Sequence, residues 1–539
     1  MGWLPDGSTY EAVREAFRWA VPNRFNIATD GVTRQARLKP DATAVILAPP
    51  NGAEERWTFG MLEDRSNRIA NVLRARGVRW GDRVALLLPQ APDTVAVHLA
   101  VYKLGAVAVP LAMLFGSDAI EHRLRNSGAR ALVLTGYSVP TIASLRDRLP
   151  DLETVLSLDG ASDGVDDLDA LVDRAASTFE AEATSPEDPA MMIYTSGTTG
   201  APKGALHGHR VLLGHLPGVS MTHPRYGSPG DVFWTPSDWA WAGGLLNALL
   251  PALHAGMPVV ATGFHKFDPD YAWRLIARHG VTACFMPPTA LRLMRATEPN
   301  GVAGTRLRAI ACGGEAVGEG LKTWGIEALR LPVNELYGQT ECNLVLESAH
   351  HLGVWKTSAI GKPVPGHTVA VIDEHGQPLP IGETGTIAIA RPDPVMFLGY
   401  WQDAAATEAK FAGDWMKTGD QGFVDEDGYV HFLGRDDDVI TSAGYRIGPA
   451  EIEDCLAAHP AVKLAAAVGK PDPVRTEIVK AFVVLNEGLN PSDSLKSELQ
   501  AWVRQRLSAH EYPREVEFTA DLPLTTTGKV IRRLLRART

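Results

Sequence analysis

The chain has 539 residues, 45% hydrophobic and 21% charged, which bounds it as ordinary globular protein with more than one core. Its formal charge of −11 at pH 7 excludes a general nucleic-acid or anionic-membrane binder, since those need a broad basic surface, so an anionic ligand must meet local positive charge. Four scattered cysteines without a C-x-x-C pair point to free thiols in a reducing compartment, and an N-terminus with Asp6, Glu11 and Glu15 but no apolar signal core points to the cytoplasm.

The first clear elements are a strand at RVALLLP (83–89), a helix at DTVAVHLAVYKLG (93–105) and a strand at AVAVPL. His98, Lys103 and Gly105 interrupt this apolar stretch, which predicts a core helix rather than a membrane span. ALVLTG adds a strand, and the rhythm predicts βαβ units around parallel sheet. Residues 160–190, acidic and rich in Ala, Ser and Asp, predict a surface excursion. VTACFMPP and LRAIACGG predict strands running into turns, where α/β proteins place ligands. From about residue 366 the short runs VAVIDEHGQPL, GTIAIA and YVHFLG predict antiparallel β structure. After the polar link GRDDD (434–438), helix PAEIEDCLAAH, strands LAAAVG and VKAFVVL, helix SLKSELQAWVRQRL and strand VEFTADL predict a small α/β domain. The basic end, KVIRRLLRART, reads as a solvated tail, and the three aspartates of the link as a solvated turn.

The chemistry concentrates in YTSGTTGAPKG (194–204), where glycines free backbone N–H groups, hydroxyls add donors and Lys203 adds charge, as a polyphosphate requires. The spacing from Gly197 to Lys203 imitates a Walker loop, but Pro202 removes an N–H and Gly204 replaces the hydroxyl that would hold magnesium. The missing hard oxygen ligand is supplied by NELYGQTE (334–341), with Thr340 beside Glu341. KTGD (417–420) offers Asp420 to a pair of hydroxyls, and GRDDDVITSAGYRIGPAEIE (434–453) and PLTTTGK (523–529) complete the set.

In this order and at these separations the motifs resemble the adenylate-forming superfamily, and the wording SDWAW (237–241), YGQTE, SAGYRIGPAEIE and YPREVEF is most similar to medium-chain acyl-CoA synthetases related to acetyl-CoA synthetase. The resemblance implies an α/β fold: an N-terminal catalytic body over 1–435, made of βαβ subdomains plus a β subdomain, and a small mobile C-terminal α/β domain over 436–539 that swings about Asp437. It implies ATP, Mg²⁺ and coenzyme A as cosubstrates and cofactor, a carboxylic acid as substrate, and an acyl-AMP intermediate.

Carried over by position, Thr195, Ser196, Gly197, Thr198, Thr199, Gly200 and Lys203 hold the β- and γ-phosphates. Gly314 and Glu315 border adenine; Glu335, Tyr337, Gly338, Gln339 and Thr340 line adenine and the α-phosphate; Glu341 binds Mg²⁺. Asp420 and Arg435 hold the ribose, and Lys529 bridges carboxylate and α-phosphate. Asp436 and Asp438 are then solvated neighbours of the hinge. In the second half-reaction Gly444 and Tyr445 border the pantetheine path, Arg446 meets phosphate, and Arg475, Arg504, Tyr512 and Arg514 receive the CoA nucleotide, each arginine having a surface salt bridge as its plainer reading.

For the acyl pocket the resemblance implies Trp239, Trp241, Gly243 and Leu245 as walls, with Trp239 equally readable as core. Gly338 stands where acetyl-CoA synthetases carry tryptophan, which implies room for a medium-chain, branched or ring acid, and implies that Gly338→Trp shrinks the preference toward acetate or propionate. PLTTTGK also resembles sites at which related bacterial synthetases are acetylated, implying a lysine acetyltransferase and deacetylase acting on Lys529. The alternatives are a free-standing enzyme loading a carrier protein, since no carrier segment follows Thr539, and a non-catalytic nucleotide-binding module.

Overall fold

The computed structural model describes residues 3–195, 202–263, 266–297, 305–436, 438–442, 445–472, 476–507, 512–525 and 528–539. Two large sheets build the body. The first has the spatial order Gly399–Tyr400, Lys203–Gly208, Pro189–Thr195, Val107–Pro110, Arg83–Leu87, Ala131–Leu134, Thr154–Ser157, Asp166–Asp167. Its strands are parallel from Pro189–Thr195 onward, while Lys203–Gly208 folds back on that strand as an antiparallel partner. Val107–Pro110 and Ala131–Leu134 are buried at every residue, as their continuous apolar sequences require of interior parallel strands.

The expected core helix spans Pro92–Lys103 and is buried almost throughout, so its sequence lacks a polar face. Lys103 is tolerated inside because its Nζ lies 2.8 Å from Ser66 Oγ, 2.6 Å from Asn67 Oδ1 and 2.9 Å from Glu63 Oε2. Burial lowers its pKa, with Glu63 acting in the opposite direction. No described helix is long and apolar enough to cross a membrane.

The second large sheet runs Lys362–Pro363, Cys342–Glu347, Val333–Gln339, Ala309–Gly313, Ala283–Met286, Phe233–Trp234, Val259–Ala261, Thr43–Leu47, Glu55–Thr58. Its central strands are parallel and its edges antiparallel. The antiparallel subdomain expected after residue 366 contains Val369–Ile372, Gly385–Ala390, Trp415–Val424 and Val430–Arg435, with Phe411–Ala412 at one edge.

The C-terminal sheet is built on a hairpin longer than its sequence suggests: Val462–Asp472 pairs with Thr476–Leu485, from Val462 opposite Leu485 to Asp472 opposite Thr476. Gly469 and Pro471 read as a strand end, yet both continue the ladder, and a Cβ on Gly469 would press on the Glu477 carboxylate.

Three local expectations are corrected. Residues 160–190 are more than an excursion: Asp166–Asp167 adds an edge strand, and the helix Leu168–Val172 sets Leu168 and Val172 into the core. The basic tail is not simply solvated, since Arg532 Nη2 lies 2.6 Å from Glu453 Oε2 and Arg536 Nη2 lies 2.6 Å from Asp438 Oδ1. Asp438 is correspondingly an anchor for the terminal helix Arg532–Arg536 rather than a free carboxylate in a solvated turn.

Candidate functional site

Strands Pro189–Thr195, Arg83–Leu87, Ala283–Met286, Ala309–Gly313 and Val333–Gln339 deliver their C-terminal ends to one cavity of about 1590 Å³. Parallel sheets place ligands there because helix starts and freed backbone groups converge on that edge. Thr195 and Lys203 face each other across the hairpin and both line the cavity. Lys203 Nζ stands 5.2 Å from the centre of the Tyr400 ring, and the Tyr400 hydroxyl donates to Glu341 Oε1. Tyr400 reaches this place because Gly399–Tyr400 adds a short strand to Lys203–Gly208. Nothing in its sequence context singles it out.

Glu341 is 6% exposed and lines the cavity, and its Oε2 has no hydrogen-bond partner among the described residues while keeping solvent-accessible surface. A single open carboxylate oxygen fits Mg²⁺, which takes one or two protein oxygens and completes its shell with phosphate and water. The described residues contain no group of three or more His, Cys, Asp or Glu that could hold a metal ion.

Asp420 is fixed from both sides. Its Oδ2 accepts from the Tyr337 hydroxyl at 2.5 Å and from Gln339 Nε2 at 2.9 Å, and its Oδ1 accepts from Arg435 Nη1 at 3.0 Å. Burial raises the Tyr337 pKa well above the ordinary phenol, and the Asp420 charge adds to the shift, so Tyr337 stays a donor. Lys410, unmarked by any motif, bonds Gln339 Oε1 at 3.2 Å and holds that amide in orientation.

The turn after Ala309–Gly313 carries Gly314 at φ +97°, a conformation that favours glycine, and nothing lies within 4 Å of where its Cβ would stand. Glu315 projects from this turn toward Thr289 and Arg292, 3.3 and 3.6 Å away. Glu335 is more constrained than its expected place along adenine implies: its Oε2 pairs with fully buried Lys322 at 2.7 Å and its Oε1 accepts from Val317 N at 3.3 Å, which ties the turn down.

Lys529 and Gly528 line the same cavity from the C-terminal side, with Gly528 at φ +89°. Lys529 N donates to Thr525 Oγ1 at 3.0 Å, closing the loop that presents its ammonium. The protein mass around the side chain lowers its pKa, the Glu315 and Asp420 carboxylates oppose that shift, and Arg435 reinforces it. Burial raises the Glu315 pKa, with Arg292 and Lys529 opposing.

The acyl region divides the expected residues. Trp241, Gly243 and Gly338 line the cavity, with Trp241 edge-on to Phe115 at 5.7 Å. Trp239, 1% exposed, and Leu245, fully buried, belong to the hydrophobic core and are not on the cavity wall. The glycines are small because of their neighbours: a Cβ on Gly243 would stand 2.7 Å from Phe285 Cε1. On Gly338 it would overlap Leu344 N and approach Asn343 Cα and Cys342 O to 2.8 Å. Gly338 thus faces the backbone of the next strand, which corrects the picture of an open floor awaiting a side chain.

On the C-terminal domain, Arg504 and Arg514 flank the Tyr512 ring, their guanidinium carbons 5.5 and 5.1 Å from its centre. All three are away from the cavity wall. Ser196, Gly197, Thr198, Thr199, Gly200, Asp437, Gly444 and Arg475 lie outside the described residues, and Tyr445 and Arg446 are described only as backbone of the strand Tyr445–Ile447.

Comparison with known proteins matches residues 32–401 to the AMP-binding enzyme family and residues 451–529 to the AMP-binding enzyme C-terminal domain. Acetyl-coenzyme A synthetase of Bacillus subtilis (strain 168) is 33% identical over 98% of this chain and 94% of its own length. Acyl-coenzyme A synthetase ACSM2, mitochondrial, of Rattus norvegicus is 34% identical over 96% of this chain and 92% of its own. Among solved structures, the anthranilate CoA ligase AuaEII in complex with anthranoyl-AMP superimposes with a TM-score of 0.88 at 28% identity, covering 96% of this chain and 98% of that one.

Proposed function

From the premise that the chain belongs to the AMP-binding enzymes and is an AMP-forming acyl-CoA synthetase using ATP, Mg²⁺ and CoA, we propose that its acid is medium-chain, branched or ring-containing. The observation that carries this reading is the continuity of one cavity from Lys203, Thr340 and Asp420 to Trp241, Gly243, Gly338 and Phe285. A polar end for the nucleotide thus opens directly on an apolar, partly aromatic region of the same cavity. The aromatic adenylate in the similar anthranilate ligase supports the same size class.

In this reading the acid's carboxylate attacks the α-phosphorus of ATP, forming the acyl-phosphate bond and releasing pyrophosphate. Carboxylate and phosphate repel, so Lys203 on the phosphate side and Lys529 at the reacting oxygens supply the positive charge that favours their approach. Glu341 would hold Mg²⁺, which when bound neutralises phosphate charge. Asp420 and Arg435 orient the ribose. The CoA thiolate then attacks the acyl carbon and AMP leaves with the bonding pair. No enzyme nucleophile is required, in keeping with Cys284, Cys312 and Cys342, whose thiols burial shifts upward and shuts from the cavity.

Lys529 on the cavity wall is the arrangement for adenylation, and the Arg504–Tyr512–Arg514 cluster is assigned to the second half-reaction after residues 436–539 turn about Asp437. Acetylation of Lys529 would remove its charge and stop the first step selectively. Incubation with ATP, Mg²⁺, CoA and acids from acetate to decanoate, with benzoate and branched acids, tests the proposal. CoA thioester and AMP from C4–C10 or ring acids are expected, and turnover confined to acetate would overturn it.

A further inference from the structure

The apolar compartment contains a polar feature that the reaction does not use. His215, in the helix Val211–Thr222, is fully buried, and its Nδ1 lies 2.6 Å from Val211 O. A carbonyl only accepts, so Nδ1 carries the proton and Nε2 is bare. Burial lowers the His215 pKa to about 4, which keeps the ring neutral. The bare Nε2 accepts from Asn343 Nδ2 at 3.0 Å, and the same Nδ2 donates to Asn247 Oδ1 at 2.6 Å. Both protons of the Asn343 amide are therefore in use, and so is the Asn247 carbonyl.

This chain of bonds fixes which ends of the two amides remain open. Asn343 keeps its Oδ1, an acceptor, and Asn247 keeps its Nδ2, a donor; neither atom has a hydrogen-bond partner among the described residues, and neither is sealed from solvent. Asn247 and Asn343 both line the cavity, as do Gly338, Trp241, Gly243 and Phe285. Asn247 sits in the π-helical turn Leu245–Leu249, an irregularity that tends to accompany functional positions. Asn343 follows Glu341 by two residues and its Cα borders Gly338. A donor and an acceptor thus belong to two amides joined by one hydrogen bond, and an apolar acyl group that displaced water from them would leave both unpaired at a cost.

We infer that the acid carries a hydroxyl group on its acyl part, donating to Asn343 Oδ1 and accepting from Asn247 Nδ2, so that the substrate class is hydroxycarboxylic acids. The inference rests on the acyl-CoA synthetase reading and narrows its substrate. A hydroxyl is the smallest group that satisfies both amide ends at once, and a plain alkyl or aryl acid satisfies neither.

The test compares the wild-type enzyme on matched acids: benzoate against its three monohydroxy isomers, and hexanoate against its monohydroxy isomers, by pyrophosphate release and CoA thioester formation. At least one hydroxy isomer is expected to exceed its parent in kcat/KM by about 10- to 100-fold, the effect of pairing two buried polar groups. In the double variant Asn247→Leu/Asn343→Leu the ratio of kcat/KM for that hydroxy isomer over its parent should fall to about one or below. Parent acids processed as well as every hydroxy isomer by the wild type would overturn the inference and leave the enzyme class standing. Absence of pyrophosphate release with every acid would instead overturn the enzyme reading, and the inference with it.

Discussion

Asp420 and Arg435 stand opposite each other across the strands Trp415–Val424 and Val430–Arg435, and Arg435 Nη1 meets Asp420 Oδ1 at 3.0 Å. Because Tyr337 and Gln339 hold the second oxygen, the carboxylate is oriented before any ligand arrives. Removing it deletes the acceptor proposed for the ribose and takes one hydrogen-bond partner from Arg435 and one from Tyr337. Asp420→Ala should therefore raise the KM for ATP by about 10- to 100-fold, the range for hydrogen bonds to a charged group, with a smaller change in kcat. Pyrophosphate release measured against ATP concentration reads this split, and an unchanged KM would remove Asp420 from the ribose role.

In the proposed function Lys529 serves adenylation and not the thiol step, which makes the two half-reactions separable. Lys529→Ala should lower adenylation by roughly 100- to 1,000-fold, as loss of a preorganised cation does, while thioester formation from supplied acyl-AMP falls far less. The depressed Lys529 pKa adds a pH signature: the ammonium loses its charge at a lower pH than a free lysine, so adenylation should fall early on the alkaline limb. An arginine at this position would keep the charge at high pH, and Lys529→Arg should flatten that limb even where its overall rate is low. Equal losses in both half-reactions for Lys529→Ala would contradict the assignment.

Gly338 gives a different outcome from the one its motif position suggests. A side chain there meets the backbone of Cys342, Asn343 and Leu344 before it meets the cavity. Gly338→Ala should cost about 1–3 kcal/mol of stability, the usual penalty for overpacking against an unyielding wall, and Gly338→Trp more. The strand that would have to move carries Asn343 and adjoins Glu341, so activity toward every acid should fall together. A stable Gly338→Trp enzyme with a clean shift toward acetate would show that the strand yields.

These three cases also mark how far the sequence could be read. Thr195, Lys203, Thr340, Glu341, Asp420, Arg435 and Lys529 belong to short motifs whose residue types follow from phosphate and ribose chemistry, and all converge on one cavity. Tyr400, Lys410 and Arg292 are illegible because each enters through a tertiary contact: a two-residue edge strand, a bond to Gln339 and the middle of the helix Pro288–Ala296 facing Glu315. Leu245 is misplaced for a related reason and Trp239 takes the core reading that its sequence leaves open, since a motif fixes where the chain passes but not which side of it faces the cavity. The long hairpin Val462–Asp472 with Thr476–Leu485 reads as shorter because Gly469 is a strand breaker by propensity, whereas its backbone continues the ladder opposite Val479. Asp438 and the basic tail looked solvated because charge runs usually are, whereas their pairing spans nearly a hundred residues of chain.

The buried histidines predict the acid response of the whole molecule. His98, His207 and His209 have pKa values pushed down to about 3, and His215 to about 4, in each case chiefly by burial. In the unfolded chain the same rings titrate near about 6.5, so between about pH 6.5 and 4 the unfolded state binds protons that the folded state refuses. The resulting stability is fully present above about pH 6.5 and is lost as pH falls toward the folded values. By pH 5 each such histidine should have withdrawn up to about 2 kcal/mol, so the urea midpoint should drop steeply between pH 7.5 and pH 5 with little change in slope. At His207 burial, His215 and Arg210 all act against the charged ring, and the backbone of Thr340 opposes them. A midpoint that stayed level over that interval would mean that these rings gain protons without unfolding, and that water reaches them in the folded state.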